Sequence, residues 1–198
     1  MPRLFVAVEI EDSSTLSRII GVRDRISGLG VDLKPVEDEN IHLTLRFLGD
    51  VEDSLIPSIY RAVDELSSFG SFVMRVRGLG AFPNTKNPRV VWVGVADGSE
   101  ILRSMRSVLD RGLRGLRFHE DEHSFHPHIT IARIRGRSNL DILSRYIEEN
   151  MDLELGLSPV TKVVLKKSTL TPRGPIYSDL RVVALGSRRA GPSLSQAP

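Results

Sequence analysis

The sequence predicts a fold of mixed strands and helices in which one strand–helix–strand–helix–strand unit occurs twice. The order of apolar strand and helix patterns is the same in both halves of the chain. The tetrapeptide HLTL at residues 42–45 also returns as HITI at residues 128–131, so its His and Thr recur 86 positions later. This period is too long for a solenoid, so we expect two pseudo-symmetric lobes packed around a central cleft.

Each copy is expected to hold three strands and two helices. Apolar runs predict the strands, and apolar residues at helical spacing predict the helices, the first with Asp12 or Ser13 as its N-cap. The first copy, residues 4 to about 80, comprises strand 4–10, a helix from about residue 13, strand 41–49, a helix capped by Asp53 and strand 72–79. The second copy, about 90–168, comprises strand 90–95, helix 99–113, strand 126–134, helix 140–149 and strand 160–168.

A closing strand at residues 177–185 completes a single bilobal domain over residues 1–187. Residues 188–198 contain almost no large apolar side chain, which predicts a disordered tail. No apolar run approaches the ~20 residues of a membrane span, and the first residues lack the regions of a signal peptide. We therefore expect a cytoplasmic protein that does not associate with a membrane.

The composition restricts the chemistry available to the chain. With 198 residues and no cysteine, it has no disulfide, no thiolate metal site and no cysteine nucleophile, so its five histidines and its carboxylates must carry any acid–base or metal chemistry. The net charge of +2 does not indicate a broad nucleic-acid-binding surface. Of the 27 basic residues, 22 are arginine, which suits phosphate ligands, although a compositional bias explains the same count.

The two repeated tetrapeptides place a histidine and a hydroxyl on one strand face. Because side chains alternate along a strand, His42 and Thr44 point away from the core, and His128 and Thr130 do the same. One such pair occurs by chance, since threonine is a common strand residue. Two pairs at equivalent positions of a duplicated unit are not required by core packing, so they indicate a functional site.

Two histidines supply a general base and a general acid without a metal, because imidazole titrates near neutral pH. In-line phosphoryl transfer needs both, one to activate the entering oxygen and one to protonate the leaving oxygen. Threonine hydroxyls can donate to the non-bridging oxygens, where negative charge increases in the transition state. A two-fold cleft would supply this arrangement around one phosphate.

Longer segments carry a family resemblance. HLTLRFLGD, GLGAFPNTKNPRVVWVGV, FHPHITIARIR and KKSTLTPRGPIYSDL occur in an order that resembles the two-histidine phosphoesterase superfamily, in its RNA 2′,3′-cyclic phosphodiesterase, or 2′–5′ RNA ligase-like, branch. The resemblance covers residues 2–187. It implies an α+β fold with two lobes, each with an antiparallel sheet, and a catalytic domain that hydrolyses RNA 2′,3′-cyclic phosphate ends to 2′-phosphate ends. It implies no metal and no cofactor, and RNA, including tRNA fragments, as partner. Because the duplicated chain already supplies its own two-fold, we expect a monomer.

The resemblance also implies a role for individual residues. His42 matches the proton donor, His128 the proton acceptor, Thr44 and Thr130 the phosphate-binding hydroxyls, and Arg133 an arginine that contacts phosphate. Strict alternation would put Arg133 on the face opposite His128. A bulge after Thr130, or the length of the arginine side chain, would bring it into the site.

Neighbouring residues are assigned by strand parity. Arg46 shares the parity of His42, so we expect it to contact substrate in the cleft, and His126 is expected to flank the site. Phe47 has the parity of the core residues, and we expect it to be buried. Core packing is also favoured for Trp92, over stacking on a nucleobase.

Other functions stay open at this point. The same residues in reverse would make a 2′–5′ RNA ligase, and a non-catalytic RNA-end binding module would show one degenerate motif, whereas both motifs here are complete. A metal-dependent hydrolase, with zinc bound by His119, His123, His126 or His128, is disfavoured because their spacing fits no helix face. An arginine-rich helix and its exit are expected to be a solvated face rather than a contact for the RNA backbone: Arg103, Arg106, Arg111, Arg114 and Arg117.

Overall fold

A computed structural model of the chain describes residues 1–116, 118, 124–172 and 174–186. Over these residues the chain forms four helices and nine strands. The helices are α1 (Ser13–Ser27), α2 (Ile56–Asp64), α3 (Ser99–Gly112) and α4 (Leu140–Glu149). The strands are β1 (Arg3–Glu9), β2 (Leu33–Pro35), β3 (His42–Asp50), β4 (Phe72–Phe82), β5 (Val90–Val95), β6 (His128–Ile134), β7 (Glu154–Val160), β8 (Lys162–Thr171) and β9 (Gly174–Ala184). The expected tail, 188–198, lies outside the described residues.

All the named strands pair antiparallel in one sheet, in the order β7-β4-β5-β6-β3-β1-β8-β9, with β2 on β6. The sheet has two halves that meet edge to edge at β3 and β6, where Leu43 pairs with Ile129. The two repeated tetrapeptides therefore lie on adjacent strands at the centre of the sheet. This arrangement confirms the expected α+β class with duplicated units.

Each half of the sheet contains elements from both sequence repeats. Strand β4, from the first repeat, pairs with β5, whereas β8, from the second repeat, pairs with β1. Helices α2 and α3 contact the half that contains β3 and β9, and α1 and α4 contact the half that contains β6, β7 and β4. This exchange ties both halves to one continuous apolar core.

Two strands were not predicted from the sequence, for identifiable reasons. β2 has three residues and includes Pro35, so it is too short to show alternation. β7 contains Gly156 and Pro159, which weaken a strand pattern, and it is an outer strand of the sheet. The helix start at Asp53 was also misplaced, because Asp53 begins a 3₁₀ turn and α2 follows it without a side-chain cap.

The α1 N-terminus forms as its sequence predicts. Asp12 is the N-cap, and its carboxylate accepts a hydrogen bond from the Thr15 backbone N–H at 2.7 Å. None of the helices over the described residues is long and apolar enough to span a membrane.

Candidate active site

A cleft on the face of the sheet opposite the helices collects both repeated motifs. Its centre holds His42, Thr44, His128 and Thr130, two from each strand that meets at the middle of the sheet. The full lining is Phe5, Lys34, Pro35, Val36, Glu37, Asn40, His42, Thr44, Phe47, His128, Thr130, Arg133, Ser168, Pro175 and Tyr177.

Both histidines are held by the same backbone contact. Nδ1 of His42 lies 2.8 Å from the carbonyl oxygen of Asn40, and Nδ1 of His128 lies 2.6 Å from that of His126. A carbonyl can only accept, so Nδ1 carries the proton in each ring and donates it. This fixes the tautomer and leaves Nε2 available to the cleft. Nε2 of His42 is 3.0 Å from the Thr44 hydroxyl oxygen, which can donate to it.

Aromatic side chains surround His42. The Phe5 ring stacks on the imidazole with centroids 5.0 Å apart, and the Tyr177 ring meets it edge-on at 5.5 Å. This burial lowers the pKa of His42 to about 4, although the hydrogen bond to the Asn40 carbonyl opposes the shift. In the ligand-free protein His42 is therefore neutral at pH 7.

His128 has different neighbours and the same direction of shift. The edge of the Phe82 ring approaches it with centroids 5.0 Å apart, and Trp92 lies 6.1 Å away. Burial lowers the pKa of His128 below its ordinary value, and the positive charge of Arg133 adds to the effect. Before substrate binds, the cleft thus presents two neutral imidazoles whose Nε2 atoms can each accept a proton.

Equivalent β-bulges follow the two threonines. In β3, Thr44 pairs with Ala7 and Arg46 with Val6, so Leu45 is the extra residue. In β6, Thr130 pairs with Trp92 and Ala132 with Val91, so Ile131 is the extra residue. The extra residues are again 86 positions apart.

Each bulge reverses the inward–outward alternation of the residues that directly follow it. Arg133 therefore lies on the cleft face, as the expected bulge after Thr130 would place it. Its counterpart in β3 is Phe47, which is 53% exposed and also lines the cleft. The bulge in β6 thus places Arg133 in the cleft, and the bulge in β3 places the Phe47 ring there.

Two expectations were wrong because they assumed that the side chains of β3 alternate regularly past Leu45, where the bulge interrupts the alternation. Arg46, expected in the cleft, is 4% exposed and lies on the core side, within 3.4 Å of Asp110 of α3. Phe47, expected in the core, is exposed in the cleft. Arg106 of α3, expected on a solvated face, is also buried, and it donates to the carbonyl of Leu45 at 2.9 Å. This bond holds the bulge from behind the sheet.

Trp92 and His126 form the edge of the site on the β5 side. Trp92 pairs with Thr130, so it shares the cleft face rather than packing in the core, and it fits there because Gly80 has no side chain. A Cβ on Gly80 would come within 2.3 Å of the indole ring. His126 is exposed, and its ring centroid lies 5.0 Å from that of Trp92. Its carbonyl oxygen contacts Nδ1 of His128, and its ring stacks on that of His128 with centroids 6.4 Å apart.

The described residues cover only part of the metal alternative. No group of three or more histidine, aspartate or glutamate side chains in that part of the chain is arranged to hold a metal ion. His119 and His123, which that alternative needs, lie outside the described residues, as does Arg117 of the arginine cluster.

The family model described as LigT like Phosphoesterase matches residues 10–92 and again residues 93–177. The chain belongs to this family. The two matches correspond to the two copies of the repeat, each with one His-x-Thr motif. Because together they cover most of the chain, membership does not rest on the short motifs alone.

Individual relatives of this LigT-like phosphoesterase agree with that placement. The RNA 2′,3′-cyclic phosphodiesterase of Aeropyrum pernix is 42% identical over 172 residues, which cover 87% of this chain and 97% of the relative. The enzyme of the same name from Archaeoglobus fulgidus is 39% identical, covering 91% and 98%. A solved structure of a Thermus thermophilus protein superposes with a TM-score of 0.78 at 28% identity, covering 94% and 99%.

Sequence reasoning missed much of the cleft lining, including Lys34, Phe5 and Tyr177. Lys34 lies beside Arg133 because β2 pairs with β6, and an unrecognised strand could not reveal this. Phe5 and Tyr177 enclose His42, with their ring centroids 4.8 Å apart. Both lie in strands that were expected, but the neighbouring order of β1 and β8–β9 is a tertiary fact without a local signal.

The carbonyl contacts predict the protonation state of this phosphoesterase. In the ligand-free protein at pH 7.5, both rings should be the Nδ1–H tautomer, and His42 should remain neutral until the pH approaches 4. Long-range ¹H–¹⁵N correlation spectra of the histidine side chains measure both properties. An Nε2–H tautomer at either ring, or a His42 that titrates at 6.5 or above, would contradict this account.

Proposed function

We propose that the chain hydrolyses RNA 2′,3′-cyclic phosphate ends to 2′-phosphate ends by acid–base catalysis between His42 and His128, without a metal or cofactor. The observation that carries the proposal is the pair of His-x-Thr motifs that face one cleft from adjacent strands. In each histidine the backbone contact is made by Nδ1, which leaves Nε2 for the substrate. The relatives that align with most of this chain are named RNA 2′,3′-cyclic phosphodiesterase, and that name gives the proposed substrate class.

The reaction assigns one proton transfer to each histidine. Nε2 of His128 takes a proton from a water molecule as the water oxygen bonds to phosphorus. The bond from phosphorus to the 3′-oxygen breaks in line, and that oxygen takes the proton from Nε2 of His42. The product carries a 2′-phosphate and a 3′-hydroxyl. His128 then releases its proton to solvent, and His42 takes up a proton with the next substrate, which restores the two histidines.

The threonines and Arg133 stabilise the charge that develops on the phosphoryl oxygens. Because Leu43 pairs with Ile129, the antiparallel register puts Thr44 beside His128 and Thr130 beside His42. Each hydroxyl can therefore donate to an oxygen that lies between the two rings. Arg133, which lines the cleft and pairs with Lys34 of β2, can provide two parallel N–H donors.

The bound substrate supplies the conditions for His42 to act as an acid. With its pKa near 4 in the ligand-free cleft, His42 has no proton to give at pH 7. A phosphodiester anion within hydrogen-bond distance favours the imidazolium and raises that pKa. Protonation of His42 is therefore coupled to substrate binding, and His128, on the other side of phosphorus, stays neutral as the base.

The same proposal covers the setting in which the chain acts. We expect it to work as a monomer in the cytoplasm, on RNA ends that include those of tRNA fragments, and sedimentation at 22.0 kDa would support the monomer. The duplicated chain supports this view, because it already provides both halves of the cleft. Ligation through a 2′–5′ linkage would use the same groups in reverse and would require a 5′-hydroxyl end.

Replacement of either histidine by alanine tests the mechanism. His42→Ala and His128→Ala should each reduce kcat on a cyclic-phosphate oligoribonucleotide by about 10²–10⁴-fold, because each removes one of two required proton transfers. Initial rates from a chromatographic assay give the measurement. Thermal unfolding and the NMR titration of the remaining histidine serve as controls for the fold.

Near wild-type hydrolysis by either histidine variant, with the fold intact, would refute the two-histidine mechanism. Thr44→Val and Thr130→Val extend the test, since each preserves shape while removing one donor. Each should lower kcat less than loss of a histidine does.

Phe47 offers the cleft an exposed aromatic face, and we propose that it stacks on the base of the terminal nucleotide. Base–aromatic stacking contributes about 1–3 kcal/mol, so Phe47→Ala should raise KM by roughly 5- to 150-fold, and Phe47→Trp should preserve it. Steady-state kinetics on an oligoribonucleotide provide the comparison. Leu157→Ala, at an exposed apolar residue in β7, is the matched control. An unchanged KM for Phe47→Ala would exclude the stacking role.

A further inference from the structure

A partly buried ion pair next to His42 has no part in the mechanism described above. Glu9 of β1 is the register partner of His42. Lys166 of β8 bonds through Nζ to the Glu9 carboxylate at 2.8 Å and to that of Asp179 at 2.6 Å. The Lys166 side chain is 12% exposed, so these charges are poorly screened by solvent.

Both members of the pair are charged at the pH of the reaction. Burial by itself would raise the pKa of Glu9, but hydrogen bonds from Lys162 and Lys166 lower it below its ordinary value. Burial would likewise lower the pKa of Lys166, but bonds to Asp179 and Glu9 raise it. The pair therefore consists of one full negative and one full positive charge beside the ring.

The other half of the cleft has no equivalent charges among the described residues. The register partner of His128 in β5 is Gly94, at the position that Glu9 holds against His42. In the first half, Lys166 pairs with Phe5. The equivalent of Phe5 in the other half is Val90, and its partner is the uncharged Phe82. The two halves thus share their histidines, threonines and bulges, but in this part of the chain only His42 has an ion pair next to it.

We propose that Glu9 and Lys166 are positioning residues for the reaction, whose opposite charges govern the proton occupancy of His42 and leave that of His128 unaffected. The inference rests on the proposed function, in which His42 donates the proton. The pair would therefore set the pH range in which the donor is charged, and it would separate the two otherwise similar histidines.

The electrostatics act on His42 in opposite directions. The negative charge of Glu9 stabilises an imidazolium, and the positive charge of Lys166 destabilises it. The surroundings add two charges bound to the same pair, Lys162 to Glu9 at 2.7 Å and Asp179 to Lys166. Two cations and two anions nearly balance, so removal of one charge leaves a net field at His42.

The remaining groups that face His42 do not reproduce this effect. Tyr177 of β9 contacts the ring by its edge, and burial raises the pKa of its hydroxyl, which keeps it uncharged. His128 and Arg133 of β6 lie across the cleft. Farther along, Lys34 and Glu37 pair with each other at 3.5 Å. These groups are common to all the variants below, so differences among the variants report the ion pair.

The test compares Glu9→Gln, Lys166→Met and the double variant in the full chain. Histidine titrations by NMR should show the pKa of His42 raised by about 0.5–1 unit in Lys166→Met and lowered by a similar amount in Glu9→Gln. The double variant should lie close to the unaltered protein. His128 should shift by less than about 0.2 unit in all three.

The rate profile must follow the titration. In the profile of kcat/KM against pH, the limb that reports His42 should move to higher pH in Lys166→Met and to lower pH in Glu9→Gln. The other limb should stay at the same pH. Lys167→Met is the control, because Lys167 is the next residue of β8 and faces Tyr60 and Leu180 on the opposite side of the sheet. Lys166→Gln replaces the methionine variant if that protein does not fold.

Three results would overturn the inference: shifts of the same sign in both single variants, equal shifts at His42 and His128, or titrations that move while the rate profile does not. A purely structural ion pair would give the first result, since loss of either partner would loosen the site alike. Failure of the proposed function is distinguishable, because the unaltered protein would then release no product although its histidines still titrate.

Discussion

The site depends on the contact between β3 and β6 at the centre of the sheet. The register of Leu43 with Ile129 brings two His-x-Thr motifs, 86 residues apart in sequence, onto adjacent strands and one face. Both residues of this pair are fully buried under the helices, so the apolar core holds the junction that the histidines require. Because β4 pairs with β5 and β8 pairs with β1, the two sequence repeats cannot separate without breaking these strand pairs.

The two halves of the cleft share most of their side chains but differ at a few positions. Both halves supply a histidine fixed through Nδ1, a threonine and a bulge, as a reaction with one acid and one base requires. Beyond the bulge the cleft residue differs, with Arg133 in one half and Phe47 in the other. In the proposed function these two side chains bind the phosphate and the base, respectively. The two halves also differ in charge, with an ion pair beside His42 and a glycine opposite His128, and we propose that this difference separates the two proton transfers.

The centre of the site was predictable from the sequence, and its borders were not. His42, Thr44, His128 and Thr130 follow from strand alternation and the repeat, and the structure places all of them in one cleft. Arg46 and Phe47 exchanged places because a bulge is one extra residue, set by hydrogen bonding to the neighbouring strand and by the Arg106 bond to Leu45 rather than by a local pattern. Lys34, Phe5 and Tyr177 depend on strand order, which no pattern of apolar residues specifies.

The most direct measurement is the position of the phosphate in the product. A 2′,3′-cyclic-phosphate oligoribonucleotide is incubated with the protein in excess chelator, and the released end is identified by ³¹P NMR. The proposed mechanism, in which His42 protonates the departing 3′-oxygen, predicts a 2′-phosphate at a rate that the chelator does not change. A 3′-phosphate product, or activity that disappears with the chelator and returns with added metal, would contradict it.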